Sequence, residues 1–185
     1  MTMPQLLRYL NALGLLAVSV ILLFAFYDQF SYRDLPCPLC LLQRVGFVAV
    51  MFGFLLNIQN GLKACHYGVI LIAAFFGAAV ALRQISLHVI PGLPGYGDLF
   101  LGLHYYTWAF VCFCSISLGV SVLLMIPSQY ESEPNIITLA HQPVWVKGII
   151  ALALLTIVMN VVAAFFECGL GACSDNPTTY KYLLK

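Results

Sequence analysis

Five stretches of the chain are almost continuously apolar, and polar residues gather between them. They cover residues 7–27, 41–56, 67–88, 104–126 and 145–166. Each is close to the roughly 20 residues an α-helix needs to cross a bilayer, and each is apolar on all faces rather than along one stripe. The pattern predicts membrane-spanning helices. A closed β-barrel would instead show alternating segments of about ten residues. The second stretch is the shortest, with Gln43 and Arg44 near its start.

The segments between carry turn signals. Residues 28–36 form a polar loop ending in Pro36, and 57–63 form a hairpin link containing Asn60-Gly61. Residues 91–97 read Pro-Gly-Leu-Pro-Gly-Tyr-Gly, which cannot be helical. The longest loop, 127–143, is mildly acidic through Glu131 and Glu133, and the tail after Glu167 ends at Lys185. Arg8 before an apolar run is reminiscent of a signal peptide. Ala25-Phe26-Tyr27-Asp28 forms no small-x-small cleavage site, so a permanent helix is expected there.

Composition supports the same reading. Hydrophobic residues make up 62% and charged residues 8%, with a mean hydropathy of +0.97. Soluble domains have about 45–50% apolar and about 25% charged residues. A soluble globular fold and a disordered chain are therefore excluded. A net charge of +1 leaves no basic surplus for nucleic acid. The expected fold class is an all-α integral membrane protein, a four-helix transmembrane bundle plus a fifth transmembrane helix. Five spans put 28–36, 91–97 and the tail on one face. The N-terminus, 57–63 and 127–143 share the other. Arg8, Lys63 and Lys147 oppose Arg33, Arg44, Lys181 and Lys185, so the positive-inside rule leans slightly against the orientation adopted below.

The seven cysteines add chemistry. Cys37 and Cys40 stand just before the second span, Cys168 and Cys173 just after the fifth, and the span count places both pairs on one face. Cys-x-x-Cys is a recurring redox-active spacing. Cys40 lies at or next to a helix N-terminus, where unpaired N–H groups favour a thiolate. Arg44 follows one turn deeper on the same face. An arginine there needs a partner, such as a thiolate or the polar head of a lipid-soluble electron carrier. The plainer alternative is a structural cysteine pair with Arg44 snorkelling to headgroups. The second pair encloses a glycine-containing loop able to open and close a disulfide, or a static staple. A four-cysteine metal site has permissible spacing, but an oxidising compartment argues against it, and no metal is expected. Cys65, Cys112 and Cys114 read as structural, behaving as small apolar residues.

The string Pro36-Cys37-Pro38-Leu39-Cys40-Leu41-Leu42-Gln43-Arg44 resembles the signature of DsbB-type disulfide oxidases, the disulfide bond formation protein B family. Arg83 with His88 is similar to that family's third helix, and Leu101-Gly102-Leu103 with Trp108 to the entry to its fourth. The resemblance covers residues 7–126. It implies a four-helix bundle that oxidises a soluble periplasmic dithiol protein of the DsbA type. Electrons would pass through two cysteine pairs to ubiquinone or menaquinone. It makes Cys37 and Cys40 the quinone-proximal pair and Cys40 the donor thiolate. Arg44 would hold a quinone oxygen or stabilise that thiolate, with His88 near the same pocket. The family's second pair lies in a long loop between the third and fourth spans, where this chain has no cysteine. The expectation is relocation, with the fifth helix bringing Cys168 and Cys173 to the same face as a substitute shuttle.

The expected organisation is a DsbB-like bundle over 1–126, a cytoplasmic loop over 127–144, and a fifth helix with a periplasmic cysteine-bearing tail over 145–185. The expected location is the bacterial inner membrane among its lipids, with the cysteines on the oxidising periplasmic face. Gln43 is read either as a contact to the quinone head or as satisfying the helix start, and His88 as a pocket residue or an interfacial histidine. His104, Tyr105, Tyr106 and Trp108 read as an interfacial belt, with ring stacking as the minority reading. Residues 91–97 are a candidate docking segment for the partner. The rivals are a reductase running the relay in reverse, like vitamin-K-epoxide-reductase bundles, and a non-catalytic metal-binding or structural protein.

Overall fold

The computed structural model describes residues 3–31, 35–89, 95–97, 99–130, 139–175 and 177–182. Five helices dominate: α1 (Met3–Ser31), α2 (Pro38–Asn60), α3 (Ala64–His88), α4 (Tyr105–Leu124) and α5 (Val144–Cys168). All five are long and apolar enough to cross a membrane, so the chain is a multi-pass membrane protein. Four of them run past the apolar stretches that predict them. α1 takes in Asp28 and Gln29, and α2 continues to Asn60, leaving only Gly61, Leu62 and Lys63 as the link to α3. A helix satisfies its own backbone, so it continues through polar residues at the bilayer edge. The shortest helix is α4, with 20 residues, rather than α2, with 23. Gln43 and Arg44 lie inside α2 because other helices satisfy them, as described below.

The start of α2 is written into its sequence. Cys37 is the N-cap in extended conformation, and Pro38 opens the helix with its φ already set. The Cys40 N–H donates to Cys37 Sγ at 3.1 Å, satisfying one donor the helix leaves unpaired. At the other end Gly61, at φ 82°, turns the chain into the short link.

α2 packs on both α1 and α3, α4 packs on α3, and α5 packs chiefly on α1. Small residues allow the closest approach. A Cβ placed on Gly46 would lie 3.0 Å from the Gly77 Cα, and the Phe113 ring fills the space beside Gly77. Phe47 stacks on Phe113 at 4.0 Å between centroids. Ile72, Phe75, Leu118 and Val161 point outward, 62–72% exposed on the bundle surface that meets lipid.

Buried polar side chains clamp one end. Asn11 Nδ2 donates to the Tyr67 hydroxyl at 3.0 Å, and Asn57 Nδ2 donates to Asn11 Oδ1 at 2.9 Å. His66 Nδ1 lies 3.2 Å from Asn57 Oδ1 and 3.1 Å from the Gly61 carbonyl. The network ties α1, α2 and α3 together with every named group partnered. Tyr9 meets Trp145 edge-on at this end, joining α1 to the start of α5.

The opposite end carries a small hairpin that the apolar pattern does not reveal. β1 (Leu99–Phe100) pairs antiparallel with β2 (Leu103–His104). Leu101 and Gly102 form the turn with φ of 49° and 82°. Two residues with positive φ match the right-handed twist of the flanking strands. Leu101-Gly102-Leu103 thus lies in a hairpin that leads directly into α4. Residues 91–94 of the Pro/Gly segment, together with Arg33, Glu131, Glu133 and Lys185, lie outside the described residues.

Candidate redox site

At the hairpin end, α1, α2, α4 and the hairpin enclose a cavity of about 370 Å3. Its wall is largely apolar and aromatic, including Phe24, Phe47, Tyr105, Tyr106 and Trp108, and Cys40, Gln43, Arg44 and Gln29 bring polar groups to it. Small-molecule sites commonly have this size and this sparse polarity.

Cys37 and Cys40 form a disulfide with their Cα atoms 5.0 Å apart. Cys37 is buried, whereas Cys40, in the first turn of α2, is half-buried and lines the cavity. Gln84, on α3 and only 1% exposed, faces the pair. Its Nε2 donates to Cys37 Sγ at 3.3 Å and to Cys40 Sγ at 3.4 Å, and its Oε1 accepts from Gln43 Nε2 at 2.7 Å. Gln43 therefore pairs with another amide across the α2–α3 interface while also lining the cavity.

Arg44 finds its partners on α1. Nη1 donates to Gln29 Oε1 at 2.7 Å and Nη2 to the Ala25 carbonyl at 3.2 Å. The guanidinium sits 5.0 Å from the Phe26 ring centroid, within cation–π range. The arginine is held in the cavity wall rather than reaching out to headgroups. Glu167 and Asp28 are the carboxylates within its electrostatic reach.

Cys168 and Cys173 form a second disulfide, with Cα atoms 4.6 Å apart. Cys168 is the last residue of α5 and 5% exposed, and Cys173 is half-buried. The tail beyond is anchored rather than loose. The Tyr182 N–H donates to the Phe166 carbonyl at 3.2 Å, and the Tyr182 ring stacks on Phe165. Gln29 Nε2 donates to the Tyr180 hydroxyl at 2.8 Å. One amide thus bridges the tail and Arg44.

His88 is set back from the cavity. It stacks on Tyr106 at 5.5 Å, and Tyr106 is the residue that lines the wall. His104 also stacks on Tyr106, at 5.1 Å. Arg83 is exposed. The Tyr105 hydroxyl donates to Asp28 at 2.9 Å, and Trp108 Nε1 donates to the Phe100 carbonyl at 2.8 Å, so the aromatic group is fixed as part of the wall. Cys112 lines the cavity, whereas Cys65 and Cys114 are exposed. Among the described residues, no group of three or more His, Cys, Asp or Glu is placed to hold a metal ion.

The residues singled out from the sequence omit Gln29, Gln84 and Tyr180, and give Glu167 no role. A lone amide such as Gln84 inside an apolar run was the available signal, because a polar group in a membrane helix needs a partner.

The fold and site define a helical membrane protein that sets a Cys-x-x-Cys disulfide against an apolar cavity. Residues 7–94 match the family model described as disulfide bond formation protein DsbB. The chain is 38% identical over 84 residues to disulfide bond formation protein B of Xanthomonas euvesicatoria, covering 43% of this chain and 49% of that one. The protein of that name from Chromobacterium violaceum is 40% identical over 73 residues, 37% of this chain and 43% of its own. That from Nitrosomonas eutropha is 34% identical over 89 residues, 46% and 55% respectively. The chain spans about half the length of the curated relatives it matches. No solved structure matches it. The resemblance carried by residues 36–44 is borne out, and the family match stops before α4 and α5.

Proposed function

We propose that this chain is a quinone-dependent protein thiol oxidase of the bacterial inner membrane that regenerates the disulfide of a periplasmic DsbA-type partner. The observation that carries the reading is the Cys37–Cys40 disulfide at the start of α2, with Cys40 opening onto an apolar cavity walled by Arg44. The relatives named for disulfide bond formation support it.

Cys173, the less buried residue of its pair, is the one a partner thiolate reaches. Attack there forms a mixed disulfide and releases Cys168. The partner's second thiol then displaces Cys173 and leaves with a disulfide. The reduced pair next attacks Cys37, whose departing partner is the Cys40 thiolate. Closure of Cys168–Cys173 then leaves Cys37 and Cys40 reduced. Gln84 favours this state, because its N–H groups bond a thiolate more strongly than a neutral sulfur. Arg44, held by Gln29 and Ala25, adds positive charge to the same wall.

Arg44 and Gln43 would be the donors to a ubiquinone or menaquinone head in this cavity, Phe47 and Trp108 would supply its aromatic wall, and His88 would act through Tyr106. A bound quinone supplies the acceptor for two electrons and two protons, so the net change is partner dithiol plus quinone to partner disulfide plus hydroquinone. Thiol oxidation belongs on the oxidising side of the membrane, which places the cysteine end in the periplasm and the 127–144 loop in the cytoplasm.

The test is quinone reduction by the purified protein supplied with a reduced DsbA-type partner, beside a Cys40→Ser variant. Quinone reduction lost in the variant supports the oxidase. Net reduction of the partner by hydroquinone would reverse the direction, and inactivity of the intact protein with several such partners would refute the reading.

A further inference from the structure

α5 does more than carry a cysteine pair. Its last turn places Glu167 directly before Cys168, 6% exposed. Neither carboxylate oxygen has a hydrogen-bond partner among the described residues. An orphaned buried carboxylate is costly unless an opposite charge compensates it. The charge acting on Glu167 is Arg44. Arg44 in turn has two carboxylates within reach, but Asp28 accepts from Tyr105 and lies on the cavity side. Glu167 does not line the cavity. Arg44 therefore lines the cavity and also lies within electrostatic reach of a buried α5 carboxylate that does not line it.

We propose that Glu167 is a positioning residue for Arg44: the carboxylate delivered by α5 balances and orients the guanidinium from behind, so that the cavity-facing donors are presented to a bound quinone oxygen. The inference rests on the quinone reading above. It gives the fifth helix a second task, completing the wall of the quinone pocket as well as bringing Cys168 and Cys173. Gln29 belongs to the same arrangement, because its oxygen accepts from Arg44 and its nitrogen donates to Tyr180 of the tail.

The test is equilibrium binding of a short-chain benzoquinone to the full-length protein in detergent. It is read by quenching of Trp108, which lines the cavity, with Trp145 replaced by phenylalanine throughout. Glu167→Gln keeps the shape and removes the charge, and its Kd should rise at least about threefold. That change is modest on the scale of a buried charge-pair coupling. Glu167→Asp should stay within about twofold of the parent, because it keeps the carboxylate. The deciding comparison is made in an Arg44→Gln background, where adding Glu167→Gln should change Kd no further, because the effect passes through Arg44. A role confined to the end of α5 would weaken binding equally in both backgrounds and would overturn the proposal, as would an unchanged or lower Kd in Glu167→Gln alone. If Glu167→Gln cannot be recovered folded, recovery of the Arg44→Gln/Glu167→Gln double variant supports the charge pair, and its failure overturns it. Absence of quinone binding by the parent protein would instead refute the oxidase reading itself.

Discussion

Replacing Gln84 with leucine removes one side chain from two arrangements at once. The amide donates to both sulfurs of the Cys37–Cys40 pair and accepts from Gln43. Losing the acceptor leaves the buried Gln43 amide with an unmatched donor. Interhelical hydrogen bonds in membrane proteins are worth about 0.6 kcal/mol on average and reach about 1.7, so a stability loss of roughly 1 kcal/mol is expected. Losing the donor acts on the redox couple. A hydrogen bond to a charged group contributes about 1.5–3 kcal/mol, and sulfur is a weak acceptor, so the low end applies. The bond favours the thiolate, which is present in the reduced form alone. Its loss makes the pair harder to reduce. For a two-electron couple ~1.4 kcal/mol corresponds to about 30 mV, so the potential should fall by roughly that amount. The assay equilibrates the Cys168→Ser/Cys173→Ser protein in graded thiol–disulfide buffers and counts reduced Cys37 and Cys40 by mass-tagging. Gln43→Leu serves as the control, because it disturbs the amide pair without removing the donors to sulfur. A potential that stays put or rises in Gln84→Leu, with the fold intact, would refute the reasoning. The Gln43→Leu/Gln84→Leu variant should be less destabilised than the sum of the single changes, since each single change orphans the other amide.

Three further outcomes are expected. Replacing both Cys168 and Cys173 with serine should abolish oxidation of a protein partner while leaving quinone reduction by dithiothreitol, which reaches Cys37–Cys40 directly; unchanged partner oxidation would rule out relocation of the shuttle. Gly77→Ala should lower Tm, because the new methyl runs into the Phe113 ring, at a cost of about 1–3 kcal/mol for overpacking; Gly119→Ala, with open space around it, should not. Cys65, exposed at the start of α3, should react with an impermeant maleimide only after the inner membrane is opened; labelling in intact spheroplasts would invert the proposed orientation.

What could be read without the fold was local. The five helices followed from unbroken apolar runs, because a chain in lipid must satisfy its backbone within each segment. Cys37, Cys40 and Arg44 were legible because proline, N-cap and one helical turn place them near each other through chain geometry alone. The helix ends were overrun, because Asp28, Gln29 and Asn57 look like loop residues until their partners are seen. Asp28 accepts from Tyr105, Gln29 accepts from Arg44 and Asn57 donates to Asn11.

The rest depended on which helices became neighbours. Gln84 and Cys37 are 47 positions apart, and Gln29 and Tyr180 are 151 apart. Periodicity cannot report either meeting, because an amide in an apolar helix shows that a partner is needed without showing where it comes from. His88, read from the sequence either as a pocket residue or as an interfacial histidine, stacks on Tyr106 outside the cavity lining, a position that depends on how α3 meets α4. The sequence by itself determined that this protein crosses a membrane several times and carries a Cys-x-x-Cys pair at a helix start, since composition and short spacing decide both. Only the tertiary structure decided that Arg44 is held from α1 and that Gln84 faces the disulfide. Those are contacts between side chains on different helices, and packing alone brings them together.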